Sequence, residues 1–95
     1  MSSLISVIIP VRNGSATIGK CLEAVYSSEY ENFEVIVVDD NSEDDSVGII
    51  KRHPCKLVRL EKHSGAAEAR DRGAFESKGD IVFFTADIFD VACTA

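Results

Sequence analysis

An acidic run follows the second apolar stretch of the sequence. It opens with Asp39 and Asp40, directly after the apolar residues 33–38. A carboxylate at the end of a rigid strand can accept a hydrogen bond from a nucleobase N–H or a ribose hydroxyl, or it can bind a divalent cation. Acidic residues there could also cap the next helix. We favour the ligand-binding role for Asp39, leave Asp40 open, and assign the capping role to Glu43, Asp44 and Asp45.

Polar residues follow the other apolar stretches as well. Pro10 and Asn13 bracket a turn that could bring backbone groups to a ligand, or they could simply end a strand and form a turn. Arg70 and Arg72 are two residues apart on a predicted helix, so at most one of them can reach a diphosphate at the site. We interpret His63 as a surface side chain, because nothing near it in sequence suggests a catalytic triad.

Four apolar stretches, rich in β-branched residues, predict the strands that position these groups. They cover residues 4–9, 33–38, 56–60 and 81–84, and Pro10 ends the first. Helical segments separate the strands at the spacing of βαβ units, whose crossovers are almost always right-handed. The predicted fold is a three-layer α/β domain, with an open, mainly parallel sheet of about four strands and helices on both faces. Ligands of such sheets bind beyond the carboxyl ends of the strands, which is where the polar residues lie.

Three helices are predicted between these strands. The second begins at a capping box formed by Ser42 and Asp45, and the third runs from an N-cap at Ser64 to Gly79. Small residues dominate the third helix, which implies that it approaches the sheet closely. The first helix carries an apolar stripe with helical spacing, at Ile18, Cys21, Leu22 and Val25.

Composition narrows the possible partners and the compartment. The net charge of -6 disfavours nucleic acids and anionic membrane surfaces, since these partners require a basic face. We expect no signal peptide and no transmembrane helix, because the sequence has no basic leader and no long apolar run. Cys21, Cys55 and Cys93 form no C-x-x-C pair and favour a reducing compartment, the cytoplasm. The absence of G-x-G-x-x-G and P-loop motifs disfavours dinucleotide oxidoreductases and P-loop NTPases.

Taken in order, these strand ends resemble the N-terminal half of family 2 glycosyltransferases of the GT-A type. The matching runs are SVIIPVRN at 6–13, IGKCLEAVYSSEYENFEVIVVDDNSEDDS at 18–46 and SGAAEARDRGAFESKGDIVFF at 64–84. The resemblance implies a Rossmann-like domain that binds a UDP- or GDP-type nucleotide diphosphate sugar, whose sugar is transferred to an acceptor hydroxyl. It implies donor-nucleotide-binding roles for Pro10, Val11, Arg12, Asn13, Asp39 and Arg70, with Asp40 as a further candidate.

The resemblance also implies a divalent metal, Mn or Mg, held by a D-x-D motif after the fourth strand. This sequence reads Thr85-Ala86-Asp87 there, so either one carboxylate is missing or the register has slipped by one. Asp87 is the candidate ligand, and Asp90 is a remote substitute. Two carboxylates normally share the charge of the metal, so we expect weak metal binding.

The family places its acceptor site and its general base later in the chain than the D-x-D region. We therefore expect residues 1–95 to form a single truncated domain that binds the donor nucleotide, lacks the acceptor domain and is catalytically incomplete. The cut edge of its sheet should be available for self-association.

Two other hypotheses stay open. The VVDD run also resembles the acidic pocket of receiver-type signalling domains, although the third strand runs into Leu60-Glu61-Lys62 and lacks the phosphoacceptor aspartate. The other hypothesis is a non-catalytic α/β fragment that self-associates and binds no small molecule.

Overall fold

Strands and helices alternate along the chain, as the sequence predicts. The computed structural model describes residues 3–85 and 87–89. The strands are β1 (Ile5–Arg12), β2 (Phe33–Asp39), β3 (Lys56–Arg59), β4 (Ile81–Phe84) and β5 (Ile88–Phe89). The helices are α1 (Ile18–Tyr26), α2 (Ser46–Ile50) and α3 (Ala66–Glu76). The two-residue β5 is the one described element that the sequence did not predict.

The sheet is parallel throughout the described strands. Its order is β3-β2-β1-β4, and β5 pairs with the last residues of β1, beyond the end of β4. Helices α1 and α2 cover one face, and α3 packs against β1 and β2 on the other. The predicted fold class is confirmed: a mainly parallel sheet with helices on both faces.

Two apolar clusters, one on each face of the sheet, form the core. Successive side chains of a strand point to opposite faces, so β1 and β2 supply residues to both clusters and must be apolar almost throughout. The cluster under α1 and α2 contains Val7, Ile9, Val11, Ile18, Leu22, Val35, Val37 and Ile50. The cluster under α3 contains Ile8, Ile36, Val38, Val58, Leu60 and Ala69.

The prediction that Pro10 ends the first strand is wrong, because β1 continues to Arg12. The carbonyl of Ile8 accepts a hydrogen bond from Thr85 N, and that of Val11 accepts one from Asp40 N. The backbone polar groups of successive β1 residues therefore point alternately toward β4 and toward β2. By this alternation Pro10 faces the β4 side, at the gap between the end of β4 and the start of β5. The described pairs of β1 with β4 and β5 leave out Pro10, so none of them needs the N–H that proline lacks, and the strand tolerates it.

The predicted N-caps are also wrong. Helix α2 begins at Ser46 rather than at a capping box on Ser42, and α3 begins at Ala66 with Gly65 as its N-cap residue. The hydroxyl of Ser42 donates to the carboxylate of Asp39 and that of Ser64 donates to the carbonyl of Lys62, so neither side chain caps a helix. Helix α3 ends at Glu76, three residues before the predicted Gly79.

The close approach of α3 to the sheet is confirmed at Gly73. A Cβ atom at this position would lie 2.3 Å from Cγ2 of Ile8 and 3.2 Å from Cγ2 of Val38. Only glycine fits there without displacing the strand side chains, so the small residues of α3 allow the helix to sit directly on β1 and β2.

Two further predictions concern the cysteines and the membrane. Cys21 and Cys55 are free thiols, partly buried against the core, and burial raises the pKa of each. Cys93 lies outside the described residues. Within residues 3–85 and 87–89, no helix is long and apolar enough to cross a membrane.

Candidate functional site

Asp39 ends β2 and lies in a row across three strands. Its Cα is in register with Val11 of β1 on one side and with Arg59 of β3 on the other. Its buried carboxylate accepts hydrogen bonds from Ser42 N at 2.9 Å and from Ser42 Oγ at 2.5 Å, and it lies 3.9 Å from Nε of Arg59. Asp39 therefore closes the turn after β2.

Asp40 is buried as well, but its carboxylate bonds to the residues that precede α3, on the opposite face of the sheet. Its backbone N–H donates to the carbonyl of Val11 at 2.8 Å. Its carboxylate accepts three hydrogen bonds from consecutive residues: His63 Nδ1 at 2.6 Å, Ser64 N at 2.7 Å and Gly65 N at 2.8 Å. Asp40 thereby fixes the loop between β3 and the start of α3, where Gly65 adopts a φ of +99°.

Serine side chains join the loop after β1 to the loop after β2. Asn13 N donates to Ser42 Oγ and Gly14 N donates to Ser46 Oγ, each at 2.9 Å, while Asn13 Oδ1 accepts from Glu43 N at 2.8 Å. Asn13 has a φ of +51°, in the left-handed region that asparagine tolerates better than most residues. The loops after β1, β2 and β3 are thus tied together at the carboxyl end of the sheet.

Asp44 completes this connection. It accepts hydrogen bonds from Ser15 N at 3.0 Å, Ser46 N at 2.9 Å and Ser46 Oγ at 2.5 Å. Burial works to raise the pKa of Asp44, but the hydrogen bonds from Ser46 and Ser15 together hold that pKa below its ordinary value. The carboxylate form is therefore the one that ties the two loops together.

A separate ion pair joins α3 to the segment after β4. Arg70 Nη1 lies 2.7 Å from each carboxylate oxygen of Asp87. Arg72 lies 3.9 Å from Glu76 instead, one turn along the helix. The two arginines do diverge, as their spacing predicts, and among the described residues the Arg70–Asp87 pair has no direct bond to Asp39 or Asp40.

The predicted residues thus form two groups. Val11, Asn13, Asp39 and Asp40 come together around the loops after β1 and β2, while Arg70 and Asp87 pair beside them. Pro10 and Arg12 lie within β1, where Pro10 is buried and Arg12 is in register with Phe89 of β5.

Sequence reasoning missed three residues of the site: Ser42, Ser46 and His63. The sequence pattern predicts a helix start at Ser42 and a surface position for His63, and it assigns no role to Ser46. A signal was available for the serines, because hydroxyls four residues apart in a loop after a strand can each reach a neighbouring loop. His63 carried no local signal, since its partner Asp40 is 23 residues away.

The described residues do not make a metal site by themselves. No group of three or more His, Cys, Asp or Glu side chains converges within residues 3–85 and 87–89. Asp87, the candidate ligand, is neutralised by Arg70 at hydrogen-bonding distance. The other acid considered for a metal, Asp90, and Ala86 of the altered motif lie outside the described residues.

Comparison with known proteins identifies the family and the fold. Residues 6–88, which are most of the chain, match the family model of glycosyl transferase family 2. The chain belongs to glycosyl transferase family 2. It is 33% identical over 87 residues to glycosyltransferase GlyG of Streptococcus pneumoniae serotype 4, a match that covers 86% of this chain and 29% of GlyG. It is 38% identical over 87 residues to glycosyltransferase AglE of Haloferax volcanii, covering 84% and 29%.

Solved structures agree with this assignment. The S. aureus TarS 1-349 complex with UDP-GlcNAc superposes with a TM-score of 0.82 at 30% identity, covering 87% of this chain and 26% of TarS. The mannosyltransferase PcManGT from Pyrobaculum calidifontis, in complex with GDP-Man and Mn2+, gives 0.81 at 28% identity, covering 86% and 26%. These comparisons lend no support to a receiver-type signalling domain. The chain spans a quarter to a third of the length of these family members.

Proposed function

We propose that this chain is the donor-nucleotide-binding part of a glycosyltransferase that moves a sugar from a UDP- or GDP-type nucleotide diphosphate sugar to an acceptor hydroxyl. The observation that carries the proposal is the tying together of three strand-end loops around Asp39 and Asp40. Ligands of parallel α/β sheets bind at this end of the strands. Family members with the same fold hold UDP-GlcNAc and GDP-Man.

The roles of the individual residues follow from their positions. The carboxylates of Asp39 and Asp40 can accept hydrogen bonds from the base or the ribose, and the segment from Pro10 to Asn13 lines the adjoining turn. Arg70 is the cation for the diphosphate, because its guanidinium reaches from α3 to the segment after β4. An acceptor site and a general base would be supplied by further parts of the enzyme, so residues 1–95 act as a single donor-binding domain.

Nucleotide titration tests the proposal. UDP or GDP should raise the melting temperature, because a ligand at a hundred times its Kd stabilises the folded state by about 2.7 kcal/mol. Arg70→Gln should weaken that binding by about tenfold or more, since it removes a charged hydrogen-bond donor. Arg72→Gln is the matched control, because Arg72 pairs with Glu76 and should not affect binding. A chain whose melting temperature moves with no nucleoside diphosphate would contradict the proposal.

A divalent metal should add little to this binding. In the described part of the chain Asp87 is the one carboxylate proposed as a ligand, and no group of three or more potential ligands converges there. We therefore expect the affinity for UDP or GDP to differ by no more than about twofold between EDTA and millimolar Mn2+ or Mg2+, since a hard cation normally needs several oxygen ligands. Calorimetry in the three buffers measures this, and a strict requirement for metal would contradict it.

Self-association through β4 is a second proposal, supported by the surface of that strand. Strand β4 pairs with β1 alone among the described strands, and all four of its residues are exposed. A hollow of about 310 Å³ with an almost wholly apolar lining, including Val25, Phe33 and Phe83, lies beside it. Sizing at two concentrations tests this, and a monomer at both would overturn it.

The cytoplasm is the compartment that we propose, because Cys21 and Cys55 are free thiols.

A further inference from the structure

One of the three donors to the Asp40 carboxylate can move independently of the backbone. Two of the three donors to its carboxylate are backbone N–H groups, of Ser64 and Gly65, which lead directly into α3. They cannot leave without moving the start of that helix. The third donor is the imidazole of His63, which can leave by rotating about its own side-chain bonds. The side chain of His63 is 51% exposed and that of Asp40 is 0% exposed, so the imidazole joins the buried carboxylate to the surface of the protein.

A nucleoside can donate the same kind of hydrogen bond to Asp40 as His63 does. An ionised carboxylate can only accept hydrogen bonds, so Nδ1 of His63 carries the proton in this contact. A base N–H or a ribose hydroxyl would donate to the same oxygen in the same way. Buried polar groups are normally hydrogen-bonded, and the imidazole is the third donor to this carboxylate beside the N–H groups of Ser64 and Gly65, so it completes the bonding of Asp40 when no ligand is present.

We propose that His63 occupies the position of a nucleoside donor at Asp40, and that nucleotide binding exchanges the imidazole for a donor of the nucleoside. This inference rests on the proposed function and makes His63 a positioning residue of the site. Asp39 does not offer the same exchange. Its two hydrogen-bond donors are atoms of Ser42, which is itself held by Asn13 N, and Nε of Arg59 lies 3.9 Å away, beyond hydrogen-bonding distance.

Three variants test the exchange by calorimetric titration with UDP and GDP. His63→Ala should bind about tenfold more tightly than the wild type, because the ligand no longer displaces a hydrogen bond to a charged group. His63→Asn should keep the wild-type affinity, since its amide nitrogen is as many bonds from the backbone as Nδ1. His53→Ala is the matched control. His53 is the other histidine of the chain, and its Nδ1 lies 3.1 Å from the carbonyl of Ile49.

Nitrogen-15 NMR of the wild-type imidazoles provides a second measurement that does not depend on the variants folding. Saturation with UDP or GDP should shift the ring signals of His63 and leave those of His53 unchanged. Equal or weaker binding by His63→Ala, or unchanged His63 signals at saturation, would overturn the exchange and leave the proposed function intact. Binding by His63→Ala alone would support the exchange. Absence of binding by the wild type and every variant would overturn the proposed function and the exchange with it.

Discussion

The carboxyl end of the sheet and its β4 edge present opposite surfaces. At the carboxyl end, Asp39 and Asp40 are fully buried and charged groups, yet loop atoms of the same chain bond to each of them. At β4 the exposed residues are large and apolar, from Val82 at 38% exposed to Phe83 at 56%. The carboxyl end of the sheet therefore buries carboxylates that water would solvate, and β4 exposes apolar side chains whose contact with water is unfavourable.

This difference shows which contacts each region needs. Buried polar groups require hydrogen-bond partners, and the loops after β1, β2 and β3 supply them, so the candidate site can form without a ligand. A contiguous exposed apolar surface is typical of a site that contacts another protein surface. No other described part of the chain covers β4 in this way. The stability of the candidate site should therefore depend on its own hydrogen bonds, whereas the burial of β4 should depend on a second protein surface that packs against it.

Removal of Asp40 should have the largest effect. Asp40→Ala leaves His63 Nδ1 and the N–H groups of Ser64 and Gly65 without their acceptor, and it should lower the free energy of unfolding by about 3 kcal/mol or more. Urea denaturation measures this. Glu43→Ala is the control, because Glu43 is an exposed member of the same acidic run that bonds to Asn13 through its backbone N–H, and the change should alter stability by less than about 0.5 kcal/mol. Equal effects would show that the carboxyl end does not rely on Asp40.

A smaller effect is expected where α3 meets the sheet. Gly73→Ala gains helix propensity of about 1 kcal/mol, but its Cβ would overlap Cγ2 of Ile8, and overpacking of a tight core costs about 1–3 kcal/mol. Because that methyl is anchored close to the β1 backbone, the overlap should dominate and the protein should be destabilised. In Gly19→Ala the new Cβ lies 3.5 Å from the nearest atom, so its stability should be unchanged or higher. Urea denaturation of the pair decides this, and a stabilised Gly73→Ala would contradict the packing argument.

Much of the fold could be predicted from the sequence, because it depends on local pattern. The continuous apolarity of β1 and β2 follows from their coverage on both faces, and the stripe of α1 follows from its single buried face. Strand β4 is predicted to the residue by its bounding Gly79-Asp80 and Thr85. The error at Pro10 arose because its tolerance depends on where the neighbouring strand ends, which the local sequence does not show.

The site was only partly predictable, for a similar reason. Strand ends locate Asp39, Asp40 and Asn13 at one edge, since parallel strands bring their carboxyl ends together. The choice of partners is a tertiary property. Ser42 bonds to Asp39 and Asn13 rather than capping a helix, and His63 reaches Asp40 across 23 residues. The ligand contacts themselves stay predictions.

Acid should weaken the connection between the loops through Asp44. Its folded-state pKa is below the ordinary value, so its contribution to stability is present above the unfolded pKa of about 3.9 and is lost as the pH falls through the folded pKa. The carboxylate is partly exposed, so this contribution should be below about 1 kcal/mol. Unfolding free energies of wild type and Asp44→Asn should differ at pH 7 and converge as the pH falls below the folded pKa of Asp44. A constant difference would show that the charge of Asp44 does not matter.

The smallest effect on stability is expected at β4, where association should change instead. Phe83→Lys places a charge on an exposed edge strand, a feature that prevents edge pairing, and should shift the unfolding free energy by only about 0.5 kcal/mol. Phe75→Lys is the matched control, because Phe75 is 82% exposed but lies on α3. Sedimentation should show weaker association for Phe83→Lys than for Phe75→Lys. If both variants lose association equally, the chains associate through exposed apolar side chains in general rather than by pairing along β4. The two regions would then differ only in how much apolar area they expose.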